Sequence, residues 1–79
     1  MIIIWRPVAG DRAIAPYLDG ERMPFTVCKI GPVGGVQVYE AWKRPNDKFK
    51  YAEMLACNLA TAREAKAMIE RLILAEAAQ

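Results

Sequence analysis

The longest hydrophobic pattern lies near the end of the chain, in residues 58–77 (NLATAREAKAMIERLILAEA). Residues 61–64 (TARE) have the form of a capping box, in which the Thr61 side chain accepts from the N–H of Glu64 and the Glu64 carboxylate accepts from the N–H of Thr61. At 100° per residue, one stripe then collects the apolar side chains of Ala62, Ala65, Met68, Ile69, Leu72 and Ile73. The pattern predicts a helix from residue 62 that packs on a sheet, with Leu74 on its exposed side.

Alternating patterns predict strands at residues 24–30 (PFTVCKI) and 36–42 (VQVYEAW), joined by a five-residue hairpin loop, GPVGG. Neither strand has a cleanly polar face, so the second side of the sheet is expected to be partly covered or to contact something. Residues 2–5 predict a short first strand. Residues 12–18 contain Pro16, which favours an irregular edge strand or an extended loop.

Residues 51–58 (YAEMLACN) fit two structures, because they alternate like a strand but contain good helix formers. The helix-start signal that follows favours a strand, since one continuous helix would not need it. The sequence therefore predicts an α+β fold: a small antiparallel sheet of three to four strands packed against one C-terminal helix. Residues 1–79 are expected to form a single α+β domain.

The residue types in the chain argue against an enzyme and against a metal site. The 79 residues include no His and no Ser, which removes the commonest general base, metal ligand and hydroxyl nucleophile. Cys28 and Cys57 are far apart in the sequence and are expected to be buried reduced thiols, with a disulfide as the alternative. No catalytic residue, metal ligand or cofactor is predicted.

One basic and aromatic segment remains as a candidate site, residues 42–51 (WKRPNDKFKY), although the net charge is only +2. It is either a solvated loop fastened to the core by its aromatic side chains, or a contact loop for a protein or a single-stranded nucleic acid. Arg6, Arg12 and Arg22 could enlarge the basic patch. The candidate binding residues are Trp42, Lys43, Arg44, Lys48, Phe49, Lys50 and Tyr51.

Hydropathy gives no sign of a membrane protein. No apolar run approaches the roughly 20 residues that span a bilayer, and the apolar residues 1–5 are too few for a signal peptide. We therefore expect a cytoplasmic protein, either a monomer or a weak homodimer that buries Leu74.

In size and architecture, the strands with VQVYEAW, the basic loop and the closing NLATAREAKAMIERL helix resemble small accessory proteins of bacteriophages and mobile elements. Among these the chain looks most like the anti-CRISPR proteins, which bind Cas effector complexes. The resemblance implies a non-enzymatic inhibitor in the bacterial host cell that occupies the surface of such a complex. Anti-CRISPR proteins share no common sequence signature, so the resemblance assigns no functional residue. The alternative is a small nucleic-acid-binding or regulatory protein that contacts DNA or RNA through the basic and aromatic loop.

Overall fold

The computed structural model describes residues 2–45 and 51–78. In these residues six strands form one antiparallel sheet of order β1-β2-β4-β5-β6, with β3 paired to β2, and one helix follows. The α+β class is confirmed, but the sheet is larger than the predicted three to four strands. The elements are β1 (Ile3–Pro7), β2 (Ala13–Leu18), β3 (Glu21–Arg22), β4 (Phe25–Val33), β5 (Val36–Lys43), β6 (Glu53–Leu59) and α1 (Ala62–Ala77).

One of the additional strands is β2, which is an interior strand of the sheet rather than the predicted irregular edge strand or loop. Pro16 pairs with Trp5 of β1 on one side. On its other side β2 pairs with β4 at its first two residues and with β3 at its last two, so Pro16 lies where the partner changes. The carbonyl of Pro16 still accepts from the N–H of Met23 at 2.9 Å. The missing N–H of proline therefore falls in a gap between two ladders, where a strand tolerates it.

The hairpin between β4 and β5 is tighter than predicted. Strand β4 continues to Val33, and only Gly34 and Gly35 form the turn, with φ values of 59° and 80°. Two successive residues with positive φ are typical of the two-residue turn whose twist matches that of the flanking strands. Strand β6 confirms the prediction of a strand before the helix. Irregularities in its pairing with β5 break the expected alternation, so the adjacent Leu55 and Ala56 both pack against the core.

Helix α1 begins where the capping box predicts and covers one face of the sheet. Thr61 accepts from the N–H of Glu64 at 3.2 Å, which satisfies one of the donors that the first turn leaves without a partner. The core joins buried side chains of β4, β5 and α1, namely Phe25, Val27, Ala41, Ala65, Ile69 and Ile73. No helix in the described part of the chain is long and apolar enough to cross a bilayer.

The helix is rotated relative to the predicted stripe. Its buried residues are Ala65, Ile69 and Ile73, whereas Leu72 is 39% exposed, so the prediction that Leu72 lies in the buried stripe is wrong. The indole N–H of Trp5 donates to the carboxylate of Glu70 at 2.9 Å. Because a partly buried indole N–H needs an acceptor, this bond accounts for the turn of the helix toward β1.

The cysteines do not behave as the expected pair of buried thiols. Both are free; Cys28 is half-buried, but Cys57 is exposed on the edge strand β6. The expectation of burial is therefore wrong for Cys57.

Candidate functional site: the helix-free face of the sheet

The face of the sheet opposite α1 carries the best candidate site. Trp5 bonds to α1, so its neighbours Ile4 and Arg6 point to the other face of the sheet. The register of the paired strands then identifies the side chains of the other strands that lie on the same face as Ile4 and Arg6. No helix of the described residues covers this side, which we call the helix-free face. Its side chains are Ile4, Arg6, Ala13, Ala15, Tyr17, Thr26, Cys28, Ile30, Val38, Glu40, Trp42 and Met54.

Arg44, just beyond the end of β5, lies across the middle of this face. Its Nε donates to the Thr26 hydroxyl at 3.0 Å, and a terminal nitrogen lies 3.7 Å from the Cys28 sulfur. The guanidinium carbon is 5.9 Å from the centre of the Trp42 ring. These contacts fix the guanidinium and leave some of its five N–H donors without a partner among the described residues.

Arg6 and Tyr17 form a second pair of an arginine and an aromatic ring, on β1 and β2. The Arg6 guanidinium carbon lies 5.3 Å from the centre of the Tyr17 ring, within the range of a cation–π contact. Arg6 is exposed and Tyr17 is half-buried. The ring therefore contacts a cation that remains open to solvent.

Trp42 is positioned by its neighbours on β5 and β6. Its indole N–H donates to the Glu40 carboxylate at 3.0 Å. Across the sheet it is in register with Thr26 on one side and Met54 on the other. Met54 is 46% exposed and extends the apolar surface toward the edge strand.

Small side chains form the floor of the helix-free face. Ala15 is fully buried and Thr26 is only 2% exposed, although no helix covers them. The Arg44 side chain contacts Thr26 and contributes to its burial. Apolar and aromatic groups with fixed cations suit non-covalent recognition.

The structure brings together only part of the predicted site. Trp42 and Arg44 lie side by side on the helix-free face. Lys43 is in register with the core residue Phe25, and strand alternation places it on the opposite side of the sheet. Tyr51 precedes β6 and is 83% exposed. The other predicted contacts, Lys48, Phe49 and Lys50, lie outside the described residues.

The sequence pattern does not place the three arginines outside the loop. Arg6 is on the helix-free face, while Arg22 and Arg44 line one cleft of about 450 Å³ at the end of the sheet. Arg12 lines a different pocket, on the helix side of the sheet. Pairing β1 with β2 as a hairpin would have placed Arg6 and Tyr17 on one face, because alternation fixes which side chains face each other.

Comparison of this chain with protein-family models, curated proteins and solved structures finds no match. The candidate site is therefore defined by the geometry of its own side chains.

Proposed function

We propose that this chain is a non-enzymatic binding protein that occupies the surface of another protein with its helix-free face. The observation that carries the proposal is the grouping of Trp42, Tyr17, Arg6 and Arg44 on the helix-free face, where each arginine lies against an aromatic ring. Trp, Tyr and Arg are the residues that most often dominate the energy of protein–protein interfaces.

Fixed cations lower the cost of binding. A long arginine side chain normally loses rotamer freedom when it enters an interface. Arg44 is already held by Thr26 and Trp42, so part of this loss has occurred before a partner arrives. Arg6 is exposed, and its contact with the Tyr17 ring, worth about 0.5–1 kcal/mol, offsets a smaller part. Both guanidinium groups are thus prepared to donate to carboxylates of a partner.

The chemistry of the face favours a protein over a nucleic acid. Its apolar side chains include Ile4 and Met54, which are 48% and 46% exposed. Among residues 2–45 and 51–78, the charged groups of this face are two arginines and Glu40, which gives a small positive balance, whereas nucleic-acid interfaces are much more positively charged. The partner is expected to present apolar groups flanked by acidic side chains.

The resemblance to anti-CRISPR proteins supplies the specific form of this proposal. In that form the partner is a CRISPR–Cas effector complex in the bacterial cytoplasm, and the chain inhibits the complex by covering part of its surface. The support is the small α+β architecture together with the aromatic and arginine side chains of the helix-free face.

The test compares two double variants with the same change of charge on opposite sides of the molecule. Arg6→Glu with Met54→Lys alters the helix-free face, and Arg63→Glu with Leu74→Lys alters the outer side of α1. Met54 and Leu74 are each 46% exposed, and both arginines are exposed, so neither pair enters the core. Wild type and both variants are used to capture partners from nuclease-treated bacterial lysate, and the captured proteins are identified by mass spectrometry.

We expect one identified protein to be captured by wild type and by the helix variant, and to be lost at least about tenfold with the face variant. Equal capture by the two variants would show that the helix-free face is not the binding surface. Cas subunits as the captured protein would support the specific form, and any other protein would refute that form alone. Tight binding to bare oligonucleotides that falls steeply with salt would instead favour the nucleic-acid alternative.

A further inference from the structure

A shallow pocket of about 210 Å³ lies on the other side of the sheet, beside the first turn of α1. Its polar lining comes from Arg12, Lys29, Tyr39 and Asp11, and its apolar lining includes Ile14 and Val27. The lining also includes Ala13, which the helix-free face shares, but none of the polar lining groups belongs to that face. The polar groups of this pocket are therefore separate from the helix-free face.

The pairing of β4 with its two neighbours places three polar side chains of this pocket in one row. The N–H of Lys29 donates to the carbonyl of Arg12 at 2.7 Å, and Lys29 is in register with Tyr39 on β5. Directly opposed residues on neighbouring strands have their side chains on the same face. Two cations and a phenol hydroxyl therefore point into one small space.

Arg12 and Lys29 are exposed, and Tyr39 is half-buried. Like charges directly opposite each other on adjacent strands destabilise a sheet. The row thus places two like charges beside a phenol hydroxyl, and an anion bound there would relieve the repulsion between them.

We propose that this pocket binds a phosphate group carried by a small molecule. The guanidinium fork of Arg12, just before β2, the ammonium of Lys29 on β4 and the hydroxyl of Tyr39 on β5 supply donors to the oxygens of one dianion. Ile14 and Val27 provide apolar contact for the organic part of the ligand. Asp11 also lines the pocket and opposes an anion, so removal of its charge should tighten binding.

The probe is inorganic phosphate, titrated into the full chain and followed by two-dimensional amide NMR at constant ionic strength. Sodium acetate provides the comparison with a monoanion. We expect saturable shifts confined to residues around Arg12, Lys29 and Tyr39, with weaker binding of acetate. Lys29→Gln should weaken phosphate binding about fivefold or more, Asp11→Asn should strengthen it, and the distant Arg63→Gln should leave it unchanged.

Thermal unfolding gives a second readout that does not depend on the NMR assignment. At ten times the dissociation constant, phosphate should lower the unfolding equilibrium constant of wild type about elevenfold. At the same phosphate concentration the Lys29→Gln variant should be stabilised much less. Without phosphate this variant should be more stable than wild type, because the repulsion between Arg12 and Lys29 is removed. Shifts that never saturate, equal affinity for acetate, or unchanged binding by Lys29→Gln would each overturn the assignment.

Discussion

Replacement of Arg44 with alanine should weaken the fold as well as the binding face. Its bond to the Thr26 hydroxyl is a charge-assisted hydrogen bond, a class that contributes about 1.5–3 kcal/mol. Because Arg44 is only half-buried, the lower part of that range applies. The contact with Trp42, at 5.9 Å, adds about 0.5 kcal/mol. The expected loss is about 2–3 kcal/mol, a large share of the stability of a small domain.

Equilibrium unfolding in urea, followed by far-UV circular dichroism, measures this loss as a lower midpoint with an unchanged slope. The matched control is Arg63→Ala, an exposed arginine on the outer side of α1, which should change stability by at most about 0.5 kcal/mol. Thr26→Val removes the acceptor while it keeps the shape of the side chain. Its combination with Arg44→Ala should be non-additive by about 1 kcal/mol. Equal stability of the Arg44→Ala and Arg63→Ala variants, or strict additivity of the double variant, would refute the structural role of Arg44.

Two further pairs of substitutions test the helix by the same urea assay. Ile69→Ala should lower the free energy of unfolding by about 2–5 kcal/mol because Ile69 is fully buried, whereas Leu72→Ala should lower it by at most about 1.5 kcal/mol. An equal or larger loss at Leu72 would contradict the rotation of α1. Thr61→Ala should lower the free energy of unfolding by about 1 kcal/mol, because it removes the acceptor for the Glu64 N–H. Thr61→Asp should retain most of the stability, and the same loss in both variants would argue against the cap.

Local signals in the sequence predict the helix, its start and the central hairpin. The capping box at Thr61 needs only four residues, and strong alternation marks most of β4 and β5. The same cap correctly favours a strand before the helix, because it places the helix start after β6.

Features that depend on partners distant in the sequence could not be predicted in this way. Pro16 argues against an interior strand until the change of partner on β2 is known, since only that change removes the need for its N–H. The rotation of α1 depends on Trp5, whose bond to Glu70 joins opposite ends of the chain. Periodicity within the helix contains no information about that contact.

The sequence predicted only those residues of the candidate site that lie in the basic and aromatic segment. Trp42 and Arg44 were identified from their position in a basic and aromatic segment. Arg6 and Tyr17 lie on the same face only because β1, β2, β4 and β5 are neighbours in the sheet. The sequence identified Arg44 only as a candidate contact residue, and its contacts with Thr26 and Trp42 give it a role in stability as well.

Photo-crosslinking in bacterial cells tests the central proposal, that the helix-free face binds a protein, most directly. A photoreactive amino acid is placed at position 6 on that face or at position 63 on the outer side of α1, both exposed positions. We predict that position 6 gives a crosslink to one defined protein and that position 63 gives none to the same protein. A crosslink to that protein from position 63, with none from position 6, would contradict the proposal.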